Sequence, residues 1–174
     1  MVSSLAKQLL MKQLNEINES DMGFSVGLVD ESDIYTWSIF FTGTEKTIYE
    51  GGFFKAIMKF PLDFPQNPPE MRFITKMWHP NSKFNLIVVF EDGKVCISIL
   101  HKPGKDLYNE QEREDEKWRP VLGVEQILVS VISMLNDPNI DSPANVDAAK
   151  EFRDNRSAWE NRVKKLVLQS MDEV

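Results

Sequence analysis

Between Ser4 and Asn18 the apolar residues Ala6, Leu10, Leu14 and Ile17 recur at helical spacing, which predicts an amphipathic first helix. The period then shortens to two. Phe24, Val26 and Leu28 alternate with smaller or polar neighbours, as do Tyr35, Trp37, Ile39 and Phe41, and then Phe54, Ala56, Met58 and Phe60. Three strands are expected, separated by the polar turn Asp30–Asp33 and by Gly43–Gly52. Pro61, Pro65, Pro68 and Pro69 exclude a helix interior or a central strand, and Met71 and Phe73 suggest a fourth strand after them. The helical period returns in Val124, Ile127, Leu128, Val131, Ile132 and Leu135, and again in Trp159, Val163, Leu166 and Val167. Asp137–Pro143 breaks the chain between them, with a short helical piece around Val146–Phe152. Helix, four-stranded antiparallel meander, intervening loop and C-terminal helices make an α+β sandwich. There is no internal repeat or flexible linker, so residues 1–174 read as a single domain.

Composition narrows the chemistry. The formal net charge is -7 over 174 residues, which argues against a nucleic-acid binder that must neutralise phosphates. An acidic surface suits protein partners with basic patches. No apolar run is long enough for a membrane span and the N-terminus lacks the order of a secretory signal, so a soluble intracellular protein is expected, in the cytoplasm with the nucleus also open. Cys96 is the single cysteine, which excludes an internal disulfide and a cysteine-rich zinc site; no metal or cofactor is expected. A lone cysteine is more often a small buried hydrophobe than a nucleophile, so its neighbours must decide.

Those neighbours carry a pattern. Tyr49-Glu50-Gly51-Gly52, Phe60-Pro61 with Phe64-Pro65 and Pro68-Pro69, His79-Pro80-Asn81, Cys96 within Val95-Cys96-Ile97, Trp118-Arg119-Pro120 and Asp137-Pro138-Asn139 follow one another along almost the whole chain. Each is weak alone. In this order they resemble the ubiquitin-conjugating enzymes. The resemblance implies that Cys96 accepts ubiquitin from an activating enzyme as a thioester and passes it to lysine on a protein substrate or another ubiquitin. A thiol suits both steps, since thiolate is available near neutrality and leaves readily when an amine attacks. Asn81 would donate its amide to the oxyanion or hold the neighbouring loop. His79 would be structural, bonding backbone in its own turn. Asp141 and Ser142 match the position that gates the incoming lysine, where many relatives carry aspartate in place of Ser142; Ser142 is equally a candidate helix N-cap.

Two insertions stand out. Residues 101–117 contain Glu110, Glu112, Glu114, Asp115 and Glu116 and resemble the acidic loop of the chain-building members, the G-type branch most closely. The plain alternative is a solvated charged loop. Ligase contact maps by resemblance to Gln8 and Lys12 on the first helix, to Phe64 and Gln66 in the proline-rich loop, and to Pro120 and Val121. Glutamine at position 66, where relatives serving cysteine-dependent ligases often carry phenylalanine, favours a RING-type partner; the same loop could simply be a rigid connection. The second insertion, Ser82–Lys94, holds Leu86-Ile87-Val88-Val89-Phe90 and is longer than the family's usual connection. It is expected to protrude as a loop or hairpin that leaves Asn81 and Cys96 in one site. Its apolar centre either packs, binds a partner, presents an aggregation-prone segment or is sequence foreign to the fold, such as retained intron. Two rival functions remain open at this point: a binding module that forms no thioester, and a cysteine hydrolase pairing Cys96 with His79.

Overall fold

The computed structural model describes residues 4–20, 23–83, 93–104 and 113–172. Helix α1 (Ser4–Glu19) leads into strands β1 (Phe24–Leu28), β2 (Thr36–Thr42), β3 (Phe53–Lys59) and β4 (Glu70–Phe73). These form the expected antiparallel meander. The sheet does not stop at four strands. Two short segments, β5 (Ser82–Lys83) and β6 (Lys94–Val95), pair with each other, and β6 docks on β4, giving the order β1-β2-β3-β4-β6-β5. The ends of the second insertion are therefore the base of a hairpin. Its apolar centre, Leu86–Phe90, lies outside the described residues.

Alternation sets which face of the meander meets the helices. Phe24 faces Phe41 and then Phe54 across three strands, and Val26, Ile39, Ala56 and Phe73 form the next row. All seven are buried. Burial of this inward row, at about 25 cal/mol per Å² of apolar surface, fixes the register, because a slip of one residue would turn the row to solvent. Helices α2 (Val124–Asn136), α3 (Val146–Asp154) and α4 (Arg156–Asp172) complete the fold. Val124, Ile127, Leu128 and Val131 of α2 are fully or almost fully buried, as the stripe predicts.

Side chains then fasten the layers. Asn18 at the end of α1 donates to the Val26 carbonyl and accepts the Val26 N–H, at 2.8 and 3.2 Å, locking helix to sheet edge. Trp118 is wholly buried against Phe64, and its Nε1–H donates to the Pro65 carbonyl at 2.8 Å. Gly93, just before β6, adopts φ +50°, and a Cβ there would lie 2.2 Å from the Phe73 carbonyl oxygen. Only glycine lets β6 approach β4 so closely. No helix among the described residues is long and apolar enough to cross a membrane.

Candidate active site

The hairpin brings the two candidate residues together. The Cys96 N–H donates to the backbone carbonyl of Asn81 at 3.2 Å, directly beyond the paired Ser82 and Val95. The short β5–β6 ladder thus sets the spacing, whatever the length of chain between its strands. Cys96 is partly exposed on one wall of a cleft of about 340 Å³. Asn81, Ile97, Ser98, His101 and Met134 line it with Cys96, as do Glu116, Asp137, Asn139, Asp141 and Ser142. Glu116, Asp137 and Asp141 give the cleft three carboxylates. A cationic amine is the kind of group such a cleft attracts.

His79 is fully buried and takes no part in the cleft. Its Nδ1 accepts the Asn81 backbone N–H at 3.0 Å, so Nε2 carries the proton and donates to the Met134 carbonyl at 3.1 Å. Both ring nitrogens are committed to backbone, one within its own turn as expected and one across to α2. A Cys96–His79 hydrolase dyad has no free nitrogen to work with. Burial pushes the imidazole down to about 4, opposed in part by the bond to Met134. The sign follows directly: a base whose folded pKa lies below its unfolded value near 6.5 contributes stability in full above pH 6.5. That contribution is lost as the pH falls through 6.5 towards 4. We expect the His79 ring to remain neutral at pH 5 in an NMR titration of the folded protein while the urea midpoint falls between pH 7 and pH 4.5. A His79 ring titrating near 6.5 would contradict the assignment.

Asn81 is 2% exposed, and both ends of its amide reach one residue. Nδ2 donates to the Asn139 carbonyl and Oδ1 accepts the Asn139 N–H, each at 2.8 Å. The Asn139 side chain continues the chain of bonds, its Oδ1 accepting the N–H groups of Asp141 at 3.0 Å and Ser142 at 3.3 Å. Pro80 holds the far end of the segment, its carbonyl accepting the Asn145 N–H at 2.8 Å. The 137–145 segment is therefore pinned to the 79–81 turn at two points. Asn139 is the member that sequence reasoning gave no role. Its place in Asp137-Pro138-Asn139 was visible, but an asparagine that bonds its own backbone two residues on looks the same as any turn asparagine until its partner is known.

Ser142 does not cap a helix. Helix α3 begins four residues later, and its cap is Asn145, whose Oδ1 accepts the Ala148 N–H at 3.0 Å. Pro143 intervenes between Ser142 and that start, so Ser142 stays exposed on the cleft with Asp141. Of the acidic residues in the 101–117 insertion, Glu114, Asp115 and Glu116 are described and exposed, and Glu116 lines the cleft. Glu110 and Glu112 lie outside the described residues. Gln8, Lys12, Gln66, Pro120 and Val121 are exposed, as a contact surface requires. Phe64 is the correction. It is 2% exposed, with its ring between Phe60 and Trp118, so it supports the proline-rich loop from beneath and presents no side chain to a partner.

Comparison with known proteins bears on this arrangement. Residues 9–167 match the family model described as ubiquitin-conjugating enzyme. The chain is 52% identical over 173 residues to Ubiquitin-conjugating enzyme E2 15 of Schizosaccharomyces pombe, covering 99% of each protein. It is 52% identical over 166 residues to Probable ubiquitin-conjugating enzyme E2 7 of Caenorhabditis elegans, covering 95% of this chain and 96% of that one. Among solved structures, human Ubiquitin-conjugating enzyme E2 G1 matches with a TM-score of 0.63 and 46% identity, over 76% of this chain and 96% of its own, in keeping with the G-type branch. The chain belongs to the ubiquitin-conjugating enzyme family and is a ubiquitin transferase.

Proposed function

We propose that this protein carries ubiquitin as a thioester on Cys96, passes it to lysine with a RING-type ligase, and extends ubiquitin chains. The observation that carries the reading is the placement of a partly exposed Cys96 in a cleft with three carboxylates, lined also by a segment that Asn81 pins. In the first step the Cys96 sulfur attacks the activating enzyme's thioester carbonyl, a new C–S bond forms, and the activating enzyme's thiolate leaves. In the second a lysine amine attacks the Cys96 thioester, an amide forms, Cys96 leaves as thiolate, and the amine's proton passes to solvent. Thiols do this without a dedicated base, which fits a site whose nearest buried histidine is committed elsewhere.

Glu116, Asp137 and Asp141 would draw the lysine ammonium in, and removal of water as the acceptor docks would favour its neutral, nucleophilic form. Asn81 has one amide hydrogen bonded to Asn139 and a second with no partner among the described residues, available to a developing oxyanion. The exposed Gln8, Lys12, Gln66, Pro120 and Val121 form the ligase surface in this reading.

The direct test is incubation with ubiquitin-activating enzyme, ATP and ubiquitin. An adduct one ubiquitin larger should appear on a non-reducing gel and vanish with a thiol reductant. Absence of any reductant-sensitive adduct would overturn the reading. Chain extension is tested on the loaded protein: Glu116→Lys should slow transfer to a second ubiquitin about threefold at low salt, and less at high salt where exposed charges are screened. Equal rates for the two proteins at low salt would remove this loop from the mechanism.

A further inference from the structure

The acidic insertion is closed at its base by a lysine that has left the solvent. The Lys117 side chain is 2% exposed, and its Nζ donates to the Gly104 carbonyl at 2.6 Å and stands 3.5 Å from Glu114 Oε1. The other Glu114 oxygen accepts the Gly104 N–H at 3.3 Å. Three residues thus form a closed clasp in which both polar groups of the Gly104 peptide backbone are held. Gly104 has φ +111°, a conformation that side-chain-bearing residues rarely adopt, so the clasp is built around a position that demands glycine. An amine is buried only where partners replace its water, and these two come from the two ends of the insertion.

What the clasp acts on is set by the residues beside it. Trp118 follows Lys117 and is immobilised in the core, its N–H on the His101 carbonyl at 3.1 Å and its indole on Pro65. Glu116 precedes Lys117, is exposed, and lines the Cys96 cleft. The three described carboxylates of the insertion are therefore not equivalent. Asp115 is paired with Arg113 at 2.8 Å and Glu114 is engaged in the clasp, while Glu116 lines the cleft.

We propose that Lys117 is a positioning residue: by tying Glu114 to Gly104 it fixes where Glu116 stands beside Cys96, and so sets how an acceptor ubiquitin is received. This rests on the reading of Cys96 as the thioester site. Lys117→Met removes the amine while keeping most of the apolar stem that fills the buried space. Lys117→Arg keeps donors for both partners, and Glu114→Gln keeps an acceptor for Gly104 without the charge.

With the loaded full chain, Lys117→Met should raise KM for acceptor ubiquitin about threefold with kcat little changed, no more than reversing Glu116 itself costs, since the lysine acts through that residue on docking and not on the chemistry. Loading of Cys96 should stay within about twofold, and Lys117→Arg should recover most of the loss. Glu114→Gln should raise KM by a smaller factor, and the double variant Lys117→Met with Glu114→Gln should be no worse than Lys117→Met alone, since both changes open one clasp. An unchanged KM in Lys117→Met, or loading and transfer falling by equal factors, would overturn the proposal. Should Lys117→Met fail to unfold cooperatively, Glu114→Gln decides, and an unchanged KM there counts against it. A wild-type chain that does not load overturns the Cys96 reading itself, whereas loading with normal chain extension by Lys117→Met overturns this inference alone.

Discussion

Replacing Cys96 by alanine is expected to abolish the reductant-sensitive ubiquitin adduct and all lysine transfer that depends on it. The argument is chemical: Cys96 is the chain's single thiol, and in the proposed mechanism alanine offers no nucleophile for loading and no leaving group for transfer. The fold should tolerate the change. Cys96 is partly exposed, its thiol has one weak contact at 3.9 Å to the Lys94 carbonyl, and its backbone N–H bond to Asn81 survives any side-chain substitution. Cooperative unfolding near the wild-type midpoint should therefore accompany complete loss of activity. Cys96→Ser sharpens the test. An alkoxide is a far poorer leaving group than a thiolate, so the serine protein should accumulate an adduct that resists thiol reductant and discharges to lysine at least a hundredfold more slowly, as expected when covalent catalysis loses its activated leaving group. A reducible adduct persisting in the alanine protein would place the thioester elsewhere and sink the assignment.

Much of this was readable in the sequence, for reasons that differ by region. The meander was legible because Phe24, Val26, Trp37, Ile39, Phe54 and Ala56 face one apolar core, and a strand buried on one face writes its period directly into residue type. Strands β5 and β6 were not, since two residues show no period, and the docking of β6 on β4 depends on the close approach of Gly93 to Phe73. Helix α3 was placed correctly, but its cap was not. Ser142 and Asn145 are both acceptable caps by type, and the choice is made by Pro143 and by the Pro80 carbonyl, which draws the chain in at Asn145. Phe64 was assigned to the ligase surface by resemblance, which locates a loop without telling which of its side chains turns inward; the Trp118 ring that packs on it comes from 54 residues further along the chain. The expected neighbourhood of Asn81 and Cys96 emerged through a backbone bond, which side-chain patterns do not announce. The link from Asn81 through Asn139 to Asp141 and Ser142 was likewise hidden, since every partner but Asn81 is a main-chain group or a turn asparagine.

That link makes Asn81 the second decisive residue. Asn81→Ala should slow discharge of the Cys96 thioester to lysine by at least tenfold, approaching the hundredfold typical of a lost oxyanion donor, while loading stays within about threefold. Two effects act together. Alanine leaves the N–H and carbonyl of Asn139 without the amide that now meets both at 2.8 Å, so the segment bearing Asp141 and Ser142 keeps its tie at Asn145 but loses this one. It also removes the second amide hydrogen, the donor proposed for the oxyanion. Asn81→Asp separates them. A carboxylate still accepts the Asn139 N–H but can donate neither to the Asn139 carbonyl nor to an oxyanion, and it sets a negative charge where negative charge must develop. If the donor matters, Asn81→Asp should discharge to free lysine no faster than Asn81→Ala. If holding the segment is the whole role, Asn81→Asp should recover part of the rate, and free lysine, too small to need a shaped segment, should be affected less than acceptor ubiquitin. Single-turnover discharge of preloaded protein to each nucleophile reads both quantities. Loading and discharge reduced by the same factor in a cooperatively folded Asn81→Ala protein would leave Asn81 with no role beyond closing its turn.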